Sequence, residues 1–249
     1  MKLSKILLFA VWMTSIHAQP IKVAVAANVS YAIADLTKAF NQHYPDIKVQ
    51  AILGSTGKLT AQIKHKAPYD ILMGANMKYP QSLYQEGLAI TRPLVYAQGA
   101  LAYLSSKKRD FSDIMQLLQS DSIQKIAVAN PKTAPYGIAT AEALKSAKLY
   151  DAIKDKFVYG ESISQTVTYA TRAADIGFIA KSSLFSPQMR RFKEGVNWGE
   201  LDPKLYTPID QGIVILSHGA NRKEVAAFYA FIMSREAGDI FEKFGYTLP

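Results

Sequence analysis

The sequence predicts an α/β protein of two lobes, with the chain crossing between them twice. Three observations carry that expectation. Compact apolar runs alternate with segments of helical period early in the chain, the pattern of a parallel sheet with crossover helices. The alternation is interrupted by a helix-poor stretch around Gly99 and resumes beyond it. A final apolar run then leads into a long helical C-terminus.

Each element follows from its residues. IKVAVAA, residues 21–27, is a strand. The helix after it has Ile33, Leu36 and Phe40 at helical spacing, and Pro45-Asp46 breaks it. IKVQAIL, residues 47–53, is the next strand. After GSTG comes a helix with Leu59 and Ile63 on one face, ended by Pro68. YDILMGAN, residues 69–76, is a third strand and its exit. Residues 93–106 hold two extended runs around Gly99, a crossing between lobes. A second α/β unit follows: strands at 123–131, 157–161 and 175–180, and helices from Tyr136 and from Ser162. QGIVILS, residues 211–217, is the return crossing. Residues 221–245 form one long or two short helices, docked by Val225, Phe228, Phe231 and Ile232. The first lobe is therefore expected to take residues 19–97 and 213–249, and the second 98–212. Ligands of open parallel sheets bind beyond the carboxyl ends of the strands. Three such exits here are small and polar: Ala27-Asn28, Gly54 to Gly57, and Gly160 to Ser162.

The bulk numbers describe an ordinary globular protein: 249 residues, 49% apolar and 20% charged. Residues 1–18 have a basic start, an apolar run from Ile6 to Met13, and Ile16 and Ala18 at the −3 and −1 positions of a cleavage site. They are expected to be a cleaved secretory signal, because the run is too short to span a bilayer. No cysteine is present, so disulfides, thiolate metal sites and a lipid-bearing cysteine are all excluded. The expected place is the periplasm. Formal charge is +9, falling to +7 without Lys2 and Lys5. The basic residues are dispersed, which fits anionic ligands and argues against nucleic acid.

GSTGK, residues 54–58, admits three chemistries. A phosphate loop fails twice, with Ile52 where its first glycine belongs and Leu59 where a hydroxyl should hold magnesium. Ser55 and Lys58 have Ser-x-x-Lys spacing, but the Ser-Asp-Asn and Lys-Thr-Gly companions are missing. His17, His43, His65 and His218 form no metal-ligand spacing, and Asp110 and Asp113 sit in a polar loop. The third chemistry needs least: a strand-to-helix turn whose free amides hold an anion. Ser55, Thr56, the Asn28 amide and the Tyr136 hydroxyl can all donate to one. Each also has an ordinary role, Asn28 and Ser55 as helix caps and Tyr136 as a packing residue.

Four ordered blocks carry a family resemblance: VAVAANVSYAIADLTKAF, GSTGKLTAQIKHKAPYDILMGAN, VANPKTAPYGIATAEAL and GESISQTVTYATRAADIGFIA. AFYAFIMSREAGDIFEKFGY extends it to the C-terminus. Together they resemble the periplasmic molybdate-binding proteins of ABC importers. The resemblance implies a two-lobed type II periplasmic-binding-protein fold with a ligand cleft between the lobes. It implies a non-enzymatic, monomeric receptor with no cofactor, which holds molybdate or tungstate by hydrogen bonds and passes it to a membrane permease. Carried over by position, the oxyanion ligands fall on Asn28, on Thr56 with Ser55 beside it, on Tyr136 with its backbone amide, and on the amide of Ile163. A fifth position falls on Ala180. Asn28 stands where serine is common and Ala180 where tyrosine is common, so Tyr136, or alternatively Lys181, would supply the missing donor. The rival readings are a receptor for sulfate, phosphate or an organic anion, and an exported Ser-x-x-Lys hydrolase.

Overall fold

A computed structural model describes residues 19–249; the expected signal peptide, residues 1–18, lies outside them. In chain order the elements are β1 (Ile21–Ala26), α1 (Ile33–His43), β2 (Val49–Gly54), α2 (Thr56–Lys64), β3 (Ile71–Gly74), α3 (Lys78–Gln85) and β4 (Leu94–Gly99). There follow β5 (Leu101–Leu104), α4 (Ile114–Gln119), β6 (Ile126–Ala129), α5 (Pro135–Ser146), α6 (Tyr150–Ile153), β7 (Phe157–Gly160), α7 (Ile163–Arg172) and β8 (Ile176–Ala180). The chain ends with β9 (Trp198–Glu200), β10 (Ile209–Ile215), α8 (Lys223–Ile232) and α9 (Arg235–Lys243).

The strands form two five-stranded sheets, ordered β2-β1-β3-β10-β4 and β7-β6-β8-β5-β9. Each sheet is the centre of one lobe. β1 pairs in parallel with β2 and β3, and β6 with β7 and β8, so crossover helices are required as expected. The sheets are mixed, however. β10 runs antiparallel to β3 and β4, and β5 antiparallel to β8 and β9. The strand leaving a lobe and the strand returning to it lie side by side, so they must point in opposite directions. The pairing of β4 with β10 extends from Gly99–Ile209 to Leu94–Ile213. Sheet membership changes at Ala100 and between Glu200 and Ile209.

Helices cover both faces of the first sheet, and its strands are apolar on both sides for that reason. Val23, Val25, Ile71 and Met73 pack with Leu36, Phe40, Phe228 and Phe241 of α1, α8 and α9. Ala24, Leu72 and Val214 pack on the other face with Leu59, Ile63 and Leu83 of α2 and α3. In the second lobe Ile126, Val128 and Phe178 meet Leu144 and Ile153. No helix among the described residues is long and apolar enough to cross a membrane.

This arrangement aims the carboxyl ends of β1, β2, β6 and β7 at the space between the lobes. The backbone then turns at once into helix. After β1 comes a 3-10 turn, Ala27–Tyr31; after β2, α2 begins at Thr56; after β7, α7 begins at Ile163.

Candidate functional site

Ser55 is the N-cap of α2, yet its side chain accepts no capping hydrogen bond. That sets it apart from Asp113, Ser162 and Ser234, whose side chains do cap their helices. Capping therefore does not account for Ser55. Its hydroxyl is buried and has no partner. Thr56, next to it, is fully buried and its Oγ1 accepts from the Ala75 N–H at 3.0 Å. A hydroxyl held that way keeps its proton free to donate elsewhere.

Tyr136 sits in the first turn of α5, after Pro135 at N1. Proline belongs there, because the first helical N–H has no acceptor in any case. Tyr136 is 1% exposed; its Oη has no partner in hydrogen-bonding geometry, and neither has the Asn28 Oδ1, the side chain that offers it an acceptor. Burial pushes its phenol well above the ordinary tyrosine range, so the group remains a protonated donor. The ring reaches the crossing between the lobes: a Cβ added to Gly99 would lie 2.1 Å from Tyr136 Oη. Glycine at 99 is what makes room for the phenol.

Asn28, fully buried in the 3-10 turn, differs from expectation in its side chain. Its Nδ2 donates to Gln211 Oε1 and to Tyr246 Oη, both at 2.8 Å. Both amide hydrogens are committed, so the side-chain nitrogen has none left for a ligand. Gln211 is itself held, its Nε2 donating to the Ile209 carbonyl at 2.8 Å. The Asn28 contribution falls to its backbone N–H, at the second position of the turn where no intrahelical acceptor exists. The N–H of Ile163, first residue of α7, is free for the same reason.

These residues meet in one small pocket. Asn28, Ser55, Thr56, Tyr136 and Ile163 line it together with alanines and Pro135, and no charged side chain does so. Its cavity volume is about 10 Å³. The two lobes close over it. The Gly57 N–H donates to the Thr133 carbonyl at 2.9 Å, an approach that a side chain at 57 would block, since its Cβ would meet Thr133 O at 2.8 Å. Lys58 pairs with Glu161 across the mouth at 2.5 Å.

The Lys58 ammonium is half-exposed and engaged by a carboxylate of the other lobe rather than by Ser55. One expectation changes here. Lys181 is unavailable as a substitute donor, because its Nζ pairs with Glu200 at 2.5 Å. Neither it nor the buried Ala180 lines the pocket. Among the described residues no group of three or more His, Cys, Asp or Glu side chains is placed to hold a metal cation. Sequence reasoning missed Gly99, Gln211 and Tyr246. Gln211 carried a faint signal, as the polar residue opening the otherwise apolar run expected at 211–217.

Two α/β lobes closed over a small, uncharged, donor-lined pocket define the class: a solute-binding receptor. The family is equally plain. Residues 21–247 match the family described as bacterial extracellular solute-binding protein, and the chain belongs to it. Members of this family are transport receptors and not enzymes. The chain is 32% identical over 234 residues to the molybdate-binding protein ModA of Azotobacter vinelandii, covering 93% of this chain and 91% of that protein. It is 31% identical to the molybdate-binding protein ModA of Rhodobacter capsulatus, covering 90% of this chain and 86% of that one. The solved structure of the Azotobacter vinelandii periplasmic molybdate-binding protein superposes with a TM-score of 0.84 at 28% identity, over 92% of this chain and 99% of that one.

Proposed function

We propose that this protein captures molybdate, and with it tungstate, in the periplasm and delivers the ion to the permease of an ABC importer. The observation that carries the reading is the convergence of buried, unpartnered hydroxyls from both lobes, Ser55 and Tyr136, on a pocket without charge. Buried polar groups are ordinarily paired, and an unpaired one calls for an explanation. An oxyanion supplies the acceptors. The names of the relatives select which oxyanion. The donor set is the Ser55, Thr56 and Tyr136 hydroxyls with the Asn28, Tyr136 and Ile163 amides. Each lobe brings half of it, so affinity depends on closure. The metal enters only as the centre of the anion, and no cofactor or nucleic acid is called for. The receptor acts as a monomer, exported by a signal peptide cleaved after Ala18.

Calorimetry of the mature chain against molybdate, tungstate, sulfate and phosphate tests this. Molybdate and tungstate should each bind at one site, and sulfate far more weakly, since it is the smaller tetrahedral dianion. Tight sulfate or phosphate binding with no molybdate response refutes the choice of ligand and leaves a receptor of the same fold for another anion.

A further inference from the structure

We infer that Ser164 and Ser182 are positioning residues for oxyanion capture, acting through the backbone of Ala27 and Asn28. This rests on the proposed reading of the pocket. Both serines belong to the second lobe, and both bond to carbonyls of the first. Ser164 Oγ donates to the Ala27 carbonyl at 2.8 Å, and Ser182 Oγ to the Asn28 carbonyl at 3.0 Å. Neither side chain is in the donor set.

The chemistry lies in the peptide group. The Ala27 carbonyl and the Asn28 N–H belong to one conjugated unit. A hydrogen bond accepted by that carbonyl polarises the unit and makes its N–H a better donor, by the cooperativity known for hydrogen-bond chains. The Asn28 N–H is the one that faces the anion in the reading above. Ser164 thus strengthens, from behind, the donor that the pocket uses from the front. Its single proton is committed to Ala27, so Ser30 Oγ, 3.4 Å away, is the donor to Ser164 Oγ.

Ser182 completes the clasp. The Asn28 carbonyl already accepts from Tyr246 Oη at 3.0 Å, within its own lobe. Ser182 occupies the second lone pair of that oxygen. The turn is then fixed from both lobes, and a carbonyl buried at 0% exposure is fully satisfied. Ser182 lies two residues beyond Ala180, where the resemblance placed a missing ligand hydroxyl. Its hydroxyl serves the backbone of Asn28, not the pocket. Both bonds cross between lobes, so they form only on closure and resist reopening.

Off-rates and lobe separation test the clasp. The chain has no cysteine, so spin labels at Leu53→Cys and Tyr159→Cys, both exposed and one on each lobe, report the separation cleanly. Molybdate is the probe for off-rates. Ser164→Ala and Ser182→Ala should each speed release by about two- to tenfold, the range for one neutral hydrogen bond. Each should lengthen the label distance in the ligand-free protein, with its melting temperature unchanged. Ser164→Thr should recover wild-type behaviour. Wild-type off-rates and distances in the alanine variants overturn the inference, and so does a lowered melting temperature with unaltered release. If the wild-type protein does not respond to molybdate, the functional reading fails. The ligand-free distances then decide the clasp alone: lengthened distances support it and unchanged ones overturn it.

Discussion

Tyr136→Phe should weaken oxyanion binding and leave the ligand-free protein no less stable. The substitution removes one oxygen and keeps the ring. That oxygen is buried and unpartnered, and burial keeps its phenol protonated. A hydroxyl donating to an oxyanion makes a charge-assisted hydrogen bond, worth about 1.5–3 kcal/mol. Affinity should therefore fall about 10- to 150-fold. Stability moves the other way. An unsatisfied buried polar group costs about 1–3 kcal/mol, and phenylalanine removes that cost. Against it stands a small loss of packing beside Gly99. The ligand-free variant should match the wild type or exceed it by up to about 3 kcal/mol. Calorimetry with molybdate and urea unfolding without ligand measure the two effects. A variant that unfolds more easily yet keeps its affinity sinks the argument, because the hydroxyl would then be structural.

Three further outcomes are expected. Gly99→Ala drives a Cβ to 2.1 Å from Tyr136 Oη and so should lower oxyanion affinity; its effect should shrink in the Tyr136→Phe background, where the nearest ring atom is 3.2 Å away, and equal effects in both backgrounds count against the clash. Lys58 and Glu161 are more than half exposed, so Lys58→Met should speed ligand release only slightly, by no more than about fivefold at low salt for an exposed pair, and less as salt rises; an effect that is large and insensitive to salt contradicts this. Tyr96, Tyr136 and Tyr246 all have phenols raised by burial. Their contribution to stability is intact below the ordinary tyrosine pKa of about 10. Above it the unfolded chain ionises while the native state lags, so stability should fall by up to about 4 kcal/mol per pH unit for the three groups, until the native phenols titrate. Urea midpoints measured between about pH 9 and 11.5 test this, and a flat profile refutes it.

The elements legible in the sequence were those whose burial imposes a period. Leu36 and Phe40 of α1 and Leu59 and Ile63 of α2 recur at helical spacing because each helix buries one stripe against the sheet. α3 escaped because Pro80 in KYPQSLYQ suggests a break. In the first turn, however, proline removes an N–H that would have had no partner. β9 is three residues long and too short to show a pattern. The antiparallel crossing strands were hidden for another reason: a buried strand reads the same in either direction. At the site, small polar residues at strand exits were visible because backbone approach and free amides need them there. What holds them was not visible. Asn28 is bonded to Gln211 and Tyr246 at separations of 183 and 218 residues, and no local pattern encodes those contacts.

The neutrality of the pocket then has a physical meaning. The chain carries a net positive charge, but spread over its surface, where it can draw anions toward the cleft without choosing among them. A lysine or arginine inside would hold any anion, in either lobe, whether or not the lobes had met. Hydroxyl and amide donors are weaker singly and directional, so they reward an acceptor only where several point at once. Ser55 and Thr56 stand on one lobe and Tyr136 and Ile163 on the other, so that condition is met only when both surround the same ion. Lys58, two residues from Thr56, and Lys181, next to Ala180, are each paired with a glutamate outside the pocket. Charge is thus kept at the rim and recognition is left to geometry. This couples the size of the anion to closure: an ion that leaves one lobe's donors out of reach fails to close the other lobe onto it.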